Sequence, residues 1–214
     1  MSTICSDNNV RIQMLALSHF DNRAYIITCP KTNQSVLIDA PANADQILKH
    51  LADSDLKYVL MTHSHSDHIG ALSLMKTTLG APVAAHKLDA GGLTVAADVL
   101  LNDNDRVVFG DSIELKVLHT PGHTPGSLCF LLNDILFSGD TIFPDGPGYT
   151  RAPSNLKQII ESITSKIFVL SDDTKIYPGH GTSAILRDEK RKYAVFANKT
   201  LSPSLCGDVL WLSS

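Results

Sequence analysis

A short stretch of the chain concentrates side chains that bind metal ions. His63, His65, Asp67 and His68 fall within one short segment directly after the apolar run 58–61. Side chains two positions apart share a face of an extended segment, so we expect His63, His65 and Asp67 to point the same way and His68 to face elsewhere. A turn there would let one loop serve two metal ions, which two-metal sites hold about 3.5–4 Å apart. Imidazole and carboxylate ligands without a nearby thiolate favour an open zinc, iron or manganese site over a closed structural zinc site.

Three further loops place histidine or aspartate beside glycine at the end of an apolar run. They carry His123, Asp140 and His180. Asp39 ends another run, where it either caps a turn or braces the metal loop through a hydrogen bond to a ligand. One such loop is weak evidence, because a Gly-Asp or Gly-His pair usually marks a turn. Their repetition along the chain indicates that the loops share one site.

Length and composition limit the fold and its partners. The 214 residues suffice for one domain, 1–214, with a substantial core. The net charge of −4 offers no basic surface, so neither a nucleic-acid partner nor a nuclease activity is expected. No apolar run approaches the roughly 20 residues of a membrane span, so no membrane is expected either. Without a signal-peptide pattern or a CxxC pair, we expect a cytoplasmic protein with reduced, buried cysteines.

Strands and helices alternate in the first half of the chain. Strands are predicted over 11–17, 24–28, 35–38, 57–61 and 82–85, and helices over 43–52 and 70–79. Asn43 is the expected N-cap of the first helix, and Gly80 is expected to end the second. The segment 87–97 contains a Gly pair and fits either a short helix or a loop over the site. Ligand loops at the carboxyl ends of strands fit an α/β layer.

The second half of the chain is predicted to be strands followed by helices. Strands are predicted over 107–109, 113–118, 128–132, 135–137 and 175–177, and helices over 156–168 and 185–197. Gly110-Asp111 and Asn133-Asp134 supply hairpin turns. The apolar run 206–212 contains Trp211 and is expected to dock on the core, with an oligomer contact or a lid over the site as alternatives.

Taken together, these loops resemble those of the metallo-β-lactamase superfamily. The matching residues, in the order of that family, are Asp39, His63, His65, Asp67, His68, His123, Asp140 and His180. The resemblance implies an α/β fold, an αββα sandwich with the metal site at one edge of the two sheets. Within the superfamily, the segments 21–25, 120–127 and 137–143 are similar to those of the glyoxalase II group, the hydroxyacylglutathione hydrolases. The helical C-terminal domain of that group has no counterpart in the residues after His180.

The resemblance also implies roles for individual residues. It assigns His63, His65 and His123 to one metal ion, Asp67, His68 and His180 to the other, and Asp140 to both. The expected ions are two zinc, with iron or manganese as alternatives. A metal-bridging hydroxide would attack a small thioester or ester, with Asp67 as the catalytic residue that orients it. Tyr149 and Arg151 lie where relatives keep substrate-binding residues, so a small-molecule substrate is the expected partner, and a homo-oligomer is left open.

Other reactions on the same fold are alternatives. A mononuclear iron persulfide dioxygenase would use His63, His123 and Asp140 and leave the other ligands idle. Lactone or β-lactam hydrolysis is a further alternative, which the lack of a secretion signal makes less suited to a dedicated antibiotic-resistance role. A diiron redox or regulatory module is the non-hydrolytic alternative, although no flavodoxin-like segment accompanies it.

Overall fold

Two sheets carry the loops of the proposed site. The computed structural model describes residues 1–17 and 21–214. Within them, one sheet contains, in this order, β1 Ser2–Ser6, β2 Arg11–Ala16, β3 Arg23–Thr28, β4 Gln34–Ile38, β5 Asp55–Leu60, β6 Val83–His86 and β7 Val99–Leu101. The other contains, from edge to edge, Ala184–Ile185 (β15), Lys175–Pro178 (β14), Ile135–Gly139 (β11), Leu128–Leu132 (β10), Ile113–His119 (β9) and Arg106–Phe109 (β8). A small ribbon pairs β12 Ile142–Phe143 with β13 Gly146–Pro147.

Helices cover the outer faces of both sheets. They are α1 Ala44–Leu51, α2 Leu72–Leu79, α3 Pro153–Ser162 and α4 Leu186–Phe196, with a 3₁₀ turn at Ala90–Gly92 and a π-helical turn at Ile163–Ile167. Apolar residues of α1 and α2 pack on the first sheet, and those of α3 and α4 pack on the second. A third apolar cluster fills the space between the sheets. The αββα sandwich is therefore confirmed.

Strand direction brings the ligand loops to one edge of the sandwich. Strands β4, β5 and β6 run parallel to one another, and β11 runs parallel to β14. Strand β9 points the same way as β11, because both are antiparallel to β10. The loops that follow these strands carry the residues named from the sequence. Parallel strands end at the same side, so Asp39, His123, Asp140 and His180 converge on the loop after β5.

Several local predictions differ from the structure. Strands β1 and β7 were not predicted, because both are short edge strands with partly exposed residues. Asn43 occupies the N-cap position of α1, but its backbone is left-handed and its side chain donates to Leu17 O instead of capping the helix. The helix predicted over 156–168 changes to a π-helical turn where Thr164 and Ser165 hydroxyls bond to backbone carbonyls. Gly80 ends α2 in the left-handed conformation, as predicted.

The helices and the cysteines in the described part of the chain bear on two further expectations. None of its helices is long and apolar enough to span a bilayer. Its four cysteines form no disulfide. Cys29 and Cys129 are buried, but Cys5 and Cys206 are partly exposed, so the expectation of buried thiols is wrong for those two.

Candidate metal centre

The loop after β5 turns before it reaches Asp67, and the turn divides its side chains between two directions. A backbone hydrogen bond of 3.0 Å from His68 N to His65 O closes the turn. The ring nitrogens of His63 and His65 lie together, whereas Asp67 lies with His68. The expectation that Asp67 shares the direction of His63 and His65 was therefore wrong, because the backbone is no longer extended at residues 66–68.

The converging loops form overlapping groups of potential ligand atoms. In each group the ligand atoms lie within 4.8 Å of one another. The first group is His63, His65 and His123, and the second is Asp67, His68 and His180. The third is Asp39, His63 and His68. Asp140 lies between the first two, with Oδ2 at 3.6 Å from both His123 Nε2 and His180 Nε2. Its Oδ1 is 3.5 Å from His68 Nε2. The structure thus brings together every side chain that the sequence proposes as a ligand.

Hydrogen bonds at the outer nitrogens orient two of the imidazoles. His63 Nδ1 donates to Thr62 Oγ1 at 3.0 Å, and this hydroxyl donates to Asp39 Oδ2 at 2.7 Å. His123 Nδ1 donates to a backbone carbonyl at 2.9 Å. A neutral imidazole that donates from Nδ1 has an unprotonated Nε2, so the Nε2 atoms of His63 and His123 face the centre as potential ligands.

Asp39 joins two elements of the ligand loop. Its Oδ1 accepts a hydrogen bond from Thr62 N at 2.8 Å, and its Oδ2 accepts one from His68 Nδ1 at 2.8 Å. The carboxylate therefore points away from its own turn and toward the neighbouring loop. Of the two alternatives raised by the sequence, these contacts support the brace over the turn cap.

Burial and neighbouring charges set the protonation of the centre. Burial disfavours the Asp140 carboxylate, but the neighbouring imidazoles, and charged His68 above all, outweigh this and hold its pKa far below the usual range. Burial also disfavours a charged His68, but Asp140 and Asp39 raise the pKa of His68 well above its usual value. Burial lowers the pKa of His63 well below its usual value. Before a metal binds, the centre thus combines a neutral His63 with a proton held on His68.

The donor set fits a metal ion. Among the described residues, His63 Nε2 and Asp140 Oδ1 are buried without a hydrogen-bond partner. A buried polar atom left in this way costs about 1–3 kcal/mol, and a cation between these atoms would satisfy both. Imidazole and carboxylate ligands suit zinc, iron and manganese. The residues present therefore fit the ions that the resemblance implies.

Glycines keep the surroundings of Asp140 clear of side chains. A Cβ at Gly179 would lie 2.3 Å from Asp140 Oδ1 and 2.6 Å from His68 Cε1. A Cβ at Gly148 would lie 1.8 Å from the backbone oxygen of Asp140. Both positions thus require glycine, because the backbone there passes too close to the centre for a side chain to fit.

The beginning of β3 holds the acidic side of the centre. Asn22 Nδ2 donates to Asp67 Oδ2 at 3.0 Å and to Asp67 O at 3.2 Å. Arg23 donates from its backbone N to Gly179 O and from Nε to Gly181 O, on either side of His180. Burial disfavours the Asp67 carboxylate, but the charge of His68 and the bond from Asn22 lower its pKa below the usual value. The segment 21–25 therefore positions Asp67 and the His180 loop.

Asp89 is a positioning residue that the sequence analysis did not find. Its buried carboxylate accepts hydrogen bonds from Ser64 N at 2.9 Å, Thr124 Oγ1 at 2.8 Å and Gly126 N at 2.7 Å. It thus ties the His63–His68 loop to the loop that carries His123. The sequence gives little signal for this role, since the polar pair His86-Lys87 separates Asp89 from the apolar run 82–85, and the Gly pair after it is typical of a loop.

A cavity of about 300 Å³ opens beside the centre. The residues that line it are His123, Asp140, Phe143, Pro144, Gly146, Pro147, Gly148, Tyr149, His180, Asp208, Val209 and Leu210. Tyr149 thus lines the cavity. Arg151 is not among the lining residues, but its positive charge contributes, after burial and His123, to a lowered pKa of His65. Arg151 therefore lies near the trihistidine group and outside the cavity.

Comparisons with known proteins agree with this geometry. Residues 20–180 match the family described as the Metallo-beta-lactamase superfamily. The chain is 36% identical over 164 residues to a hydroxyacylglutathione hydrolase of Pelagibacter ubique, covering 75% of this chain and 66% of that protein. It is 27% identical over 213 residues to the hydroxyacylglutathione hydrolase GloC of Haemophilus influenzae, covering 89% and 100%. The chain thus spans slightly less than two thirds of the length of the first of these relatives.

Among solved structures, ETHE1 from Myxococcus xanthus is similar to this chain. The sequence identity is 33% and the TM-score is 0.78, and the match covers 88% of this chain and 85% of that one. The shared fold therefore extends over most of both chains.

Proposed function

Because the chain belongs to the metallo-beta-lactamase superfamily, we propose that it is a metal-dependent hydrolase of small thioesters or esters that binds two metal ions, with zinc as the first candidate. The observation that carries the proposal is the meeting of two ligand groups on the shared carboxylate of Asp140. Hydroxyacylglutathione hydrolases, to which the chain is similar, supply the reaction class by their name.

The proposed ligands divide between the two ions by position. His63, His65 and His123 would hold one ion, Asp67, His68 and His180 the other, and Asp140 would contact both. When bound, such ions supply Lewis-acid polarisation of a carbonyl and acidification of a water molecule. A persulfide dioxygenase with a single iron would leave Asp67, His68 and His180 idle. The hydrogen bonds from Asn22 to Asp67 and from His68 to Asp39 support the two-ion proposal, because they order side chains that a one-ion site would not need.

Asp67 is the proposed catalytic residue. Its side chain is 40% exposed, more than that of any neighbouring proposed ligand on its side of the centre. The bond from Asn22 and the proximity of His180, at 3.2 Å, fix the carboxylate in place. Its lowered pKa keeps it ionised at neutral pH, so it suits accepting a hydrogen bond from the attacking water and orienting it.

The titratable residues that line the cavity bear on the leaving group of the substrate. Apart from the proposed ligands, the titratable side chains that line it in the described residues are those of Tyr149 and Asp208. A thiolate, with a pKa near 8.5, departs without prior protonation, whereas an alkoxide requires a proton donor. Tyr149 is the candidate proton donor here, so a thioester, whose leaving group needs no donor, is the first candidate and an ester is the second.

Tyr149 and Arg151 are the proposed substrate contacts. Tyr149 presents a half-exposed ring at the cavity mouth. Arg151 offers a cation outside the cavity, on the side of His65. A substrate that spans both would place a neutral part in the cavity and an anionic part on Arg151.

Metal reconstitution with a substrate panel tests the proposed function. The protein is stripped with a chelator, reloaded with zinc, iron or manganese, and assayed on a thioester, an ester, a lactone, a β-lactam and glutathione persulfide. We expect thiol release from the thioester at full occupancy of two zinc ions. Oxygen consumption on the persulfide with a single iron ion would overturn the proposal. A cytoplasmic location and a homo-oligomer stay predictions.

A further inference from the structure

The cavity beside the centre has a wall formed by the segment 207–211, which lies far from the ligand loops in sequence. Asp208, Val209 and Leu210 line it together with the loop 143–149 and the proposed ligands His123, Asp140 and His180. We call the segment 207–211 the wall segment. It contributes neither a potential ligand nor a member of any ligand group, so its place at the cavity calls for another role.

Backbone hydrogen bonds fix the wall segment against the loop 143–149 and its continuation. Gly207 N donates to Thr150 O at 2.8 Å, and Thr150 N donates back to Gly207 O at 3.2 Å. Trp211 N donates to Asp145 O at 2.8 Å. A Cβ at Gly146 would lie 2.2 Å from Val209 O, so the two walls meet backbone to backbone. Their separation is thus set by main-chain contacts.

A buried charged network ties both walls to α4. Glu189 is fully buried, and its Oε2 accepts hydrogen bonds from Trp211 Nε1 at 3.1 Å and from Asp145 N at 2.8 Å. Lys192 Nζ neutralises it at 2.7 Å and also pairs with Asp145 at 2.6 Å. The fully buried Trp211 ring anchors the segment in the core of the second sheet. The Glu189 carboxylate therefore fixes the position of the wall segment relative to the loop 143–149. A flexible tail would not require such a contact.

The surface of the cavity is apolar and carries no lysine or arginine among the described residues that line it. Phe143, Pro147 and Leu210 supply apolar contact. The carboxylates at the cavity are those of Asp140, which the metal ions would neutralise, and Asp208, which is exposed at the rim. A carboxylate entering beyond the centre would thus meet a like charge and find no cation.

The volume decides which part of a substrate enters. About 300 Å³ is at the lower end of the range for small-molecule sites, roughly 300–1,000 Å³. A short acyl chain fits such a space, and the thiol part of a larger thioester would extend toward the solvent. Arg151, the proposed contact of an anionic part of the substrate, is not among the residues that line the cavity.

We propose that the wall segment and the loop 143–149 form an acyl pocket that binds short, uncharged, apolar acyl groups, and that Asp208 excludes acyl groups ending in a carboxylate. The pocket rests on the proposed function, because it gives the acyl specificity of that thioester hydrolase. It adds Asp208 and Leu210 as specificity-determining residues, and neither belongs to a ligand group.

The test compares a neutral with an anionic acyl group on one thiol. The substrates are the butanoyl and succinyl thioesters of N-acetylcysteamine, and the binding probes are their ketone analogues, in which a methylene group replaces the sulfur. For the zinc-loaded protein, kcat/KM is measured on the substrates, and dissociation constants of the probes are measured by calorimetry. The variants are Asp208→Lys and Leu210→Ala. Asp53→Lys, at the far end of β5, and Leu74→Ala on α2 are the controls, since Leu74 and Leu210 are 45% and 47% exposed.

We expect the wild type to prefer the butanoyl compounds by about tenfold, because Asp208 lines the cavity and would repel the succinyl carboxylate. Asp208→Lys should reduce that preference by about tenfold, and Leu210→Ala should weaken butanoyl binding several-fold. Asp53→Lys and Leu74→Ala should change neither ratio. All four positions are at the surface, so thermal unfolding midpoints should stay close to that of the wild type.

The outcomes separate the acyl pocket from the proposed function. If the wild type hydrolyses the thioesters but Asp208→Lys leaves both ratios unchanged, or Asp53→Lys changes them equally, the acyl pocket is wrong and the hydrolase stands. If no thioester is hydrolysed but the binding ratio of the ketone analogues shifts in Asp208→Lys alone, the pocket stands and the proposed function is wrong.

Discussion

The two sides of the centre differ in how they are prepared for a metal ion. The trihistidine side, His63, His65 and His123, consists of imidazoles whose pKa is lowered by burial at His63 and His65. The acidic side, Asp67, His68 and His180, contains a carboxylate, and its buried His68 holds a proton between Asp39 and Asp140. The first side is therefore ready to bind a cation, whereas the second must first release a proton.

This difference indicates an order of binding. The first ion should enter the trihistidine side, where little protonation competes with it. Its positive charge beside Asp140 would then weaken the hold of that carboxylate on the His68 proton, which assists entry of the second ion. Asp140 links the two sides, so substitutions that remove this link or act on one side alone test the difference between them.

Removal of Asp140 should have the largest effect, because it is the group that both sides share. Asp140→Ala leaves the buried imidazoles of His63, His68 and His123 without their common anion. We therefore expect a loss of activity of about 10³-fold or more and fewer than two bound ions per chain. Metal content by mass spectrometry and kcat/KM on a thioester measure both effects. Asp53→Ala is the control, and wild-type turnover in Asp140→Ala would contradict the bridging role.

Removal of Asp39 should separate the two sides. Asp39→Ala deletes the acceptor for His68 Nδ1, and loss of such an outer partner typically lowers metal affinity by about 10–100-fold. We expect the weaker-binding ion of the acidic side to be lost first, with a smaller effect on His63 through Thr62. Competition with a chromophoric chelator measures both affinities. Equal losses on the two sides would contradict the assigned asymmetry.

The two sides should also respond differently to pH. The pKa of His68 is raised, so a proton competes with the metal ion on the acidic side at any pH below that pKa. In that range, each unit by which the pH falls should weaken metal binding on the acidic side by about tenfold. Metal binding on the trihistidine side should change less. In the metal-free protein, charged His68 stabilises the fold fully below its unfolded pKa of about 6.5, and this contribution is lost as the pH rises through the raised pKa.

Calorimetric metal titrations at several pH values, each in two buffers of different ionisation enthalpy, measure this proton release. The expected result is release of a proton with the second ion and little with the first. Identical pH slopes for both ions would show that the two sides are equivalent.

The smallest effect should come from Asp89, which acts on the trihistidine side alone. Asp89→Asn keeps the size of the side chain but weakens its bonds to Ser64 N, Thr124 and Gly126 N. We expect a loss of about 1 kcal/mol in stability, and roughly fivefold weaker binding of the first ion. Thermal unfolding and the chelator competition measure these quantities, and a stronger effect on the second ion would show that Asp89 acts elsewhere.

The sequence predicts the potential ligands better than it predicts the elements that hold them. His63, His123 and His180 follow apolar strands, so the strand ends could be placed from hydrophobic pattern and glycine position. The division of the loop's side chains between two directions could not be predicted in this way, because it depends on the turn at 66–68. Residue propensities do not distinguish that turn from a segment that stays extended. That division was available only through the family resemblance.

Long-range contacts explain what the sequence analysis missed. The roles of Asp89 and Asp39 depend on bonds to loops far along the chain. Strands β1 and β7 lie at sheet edges, where the apolar pattern is weak. The docking of Trp211 was predicted from its hydrophobicity, but its bond to buried Glu189 depends on tertiary structure.

Anomalous diffraction from crystals grown with zinc tests the central claim most directly. The account predicts two anomalous peaks at the edge of the sandwich, one contacted by His63, His65 and His123, the other by Asp67, His68 and His180, with Asp140 touching both. A single peak at full zinc occupancy, contacted only by His63, His123 and Asp140, would contradict the two-ion centre.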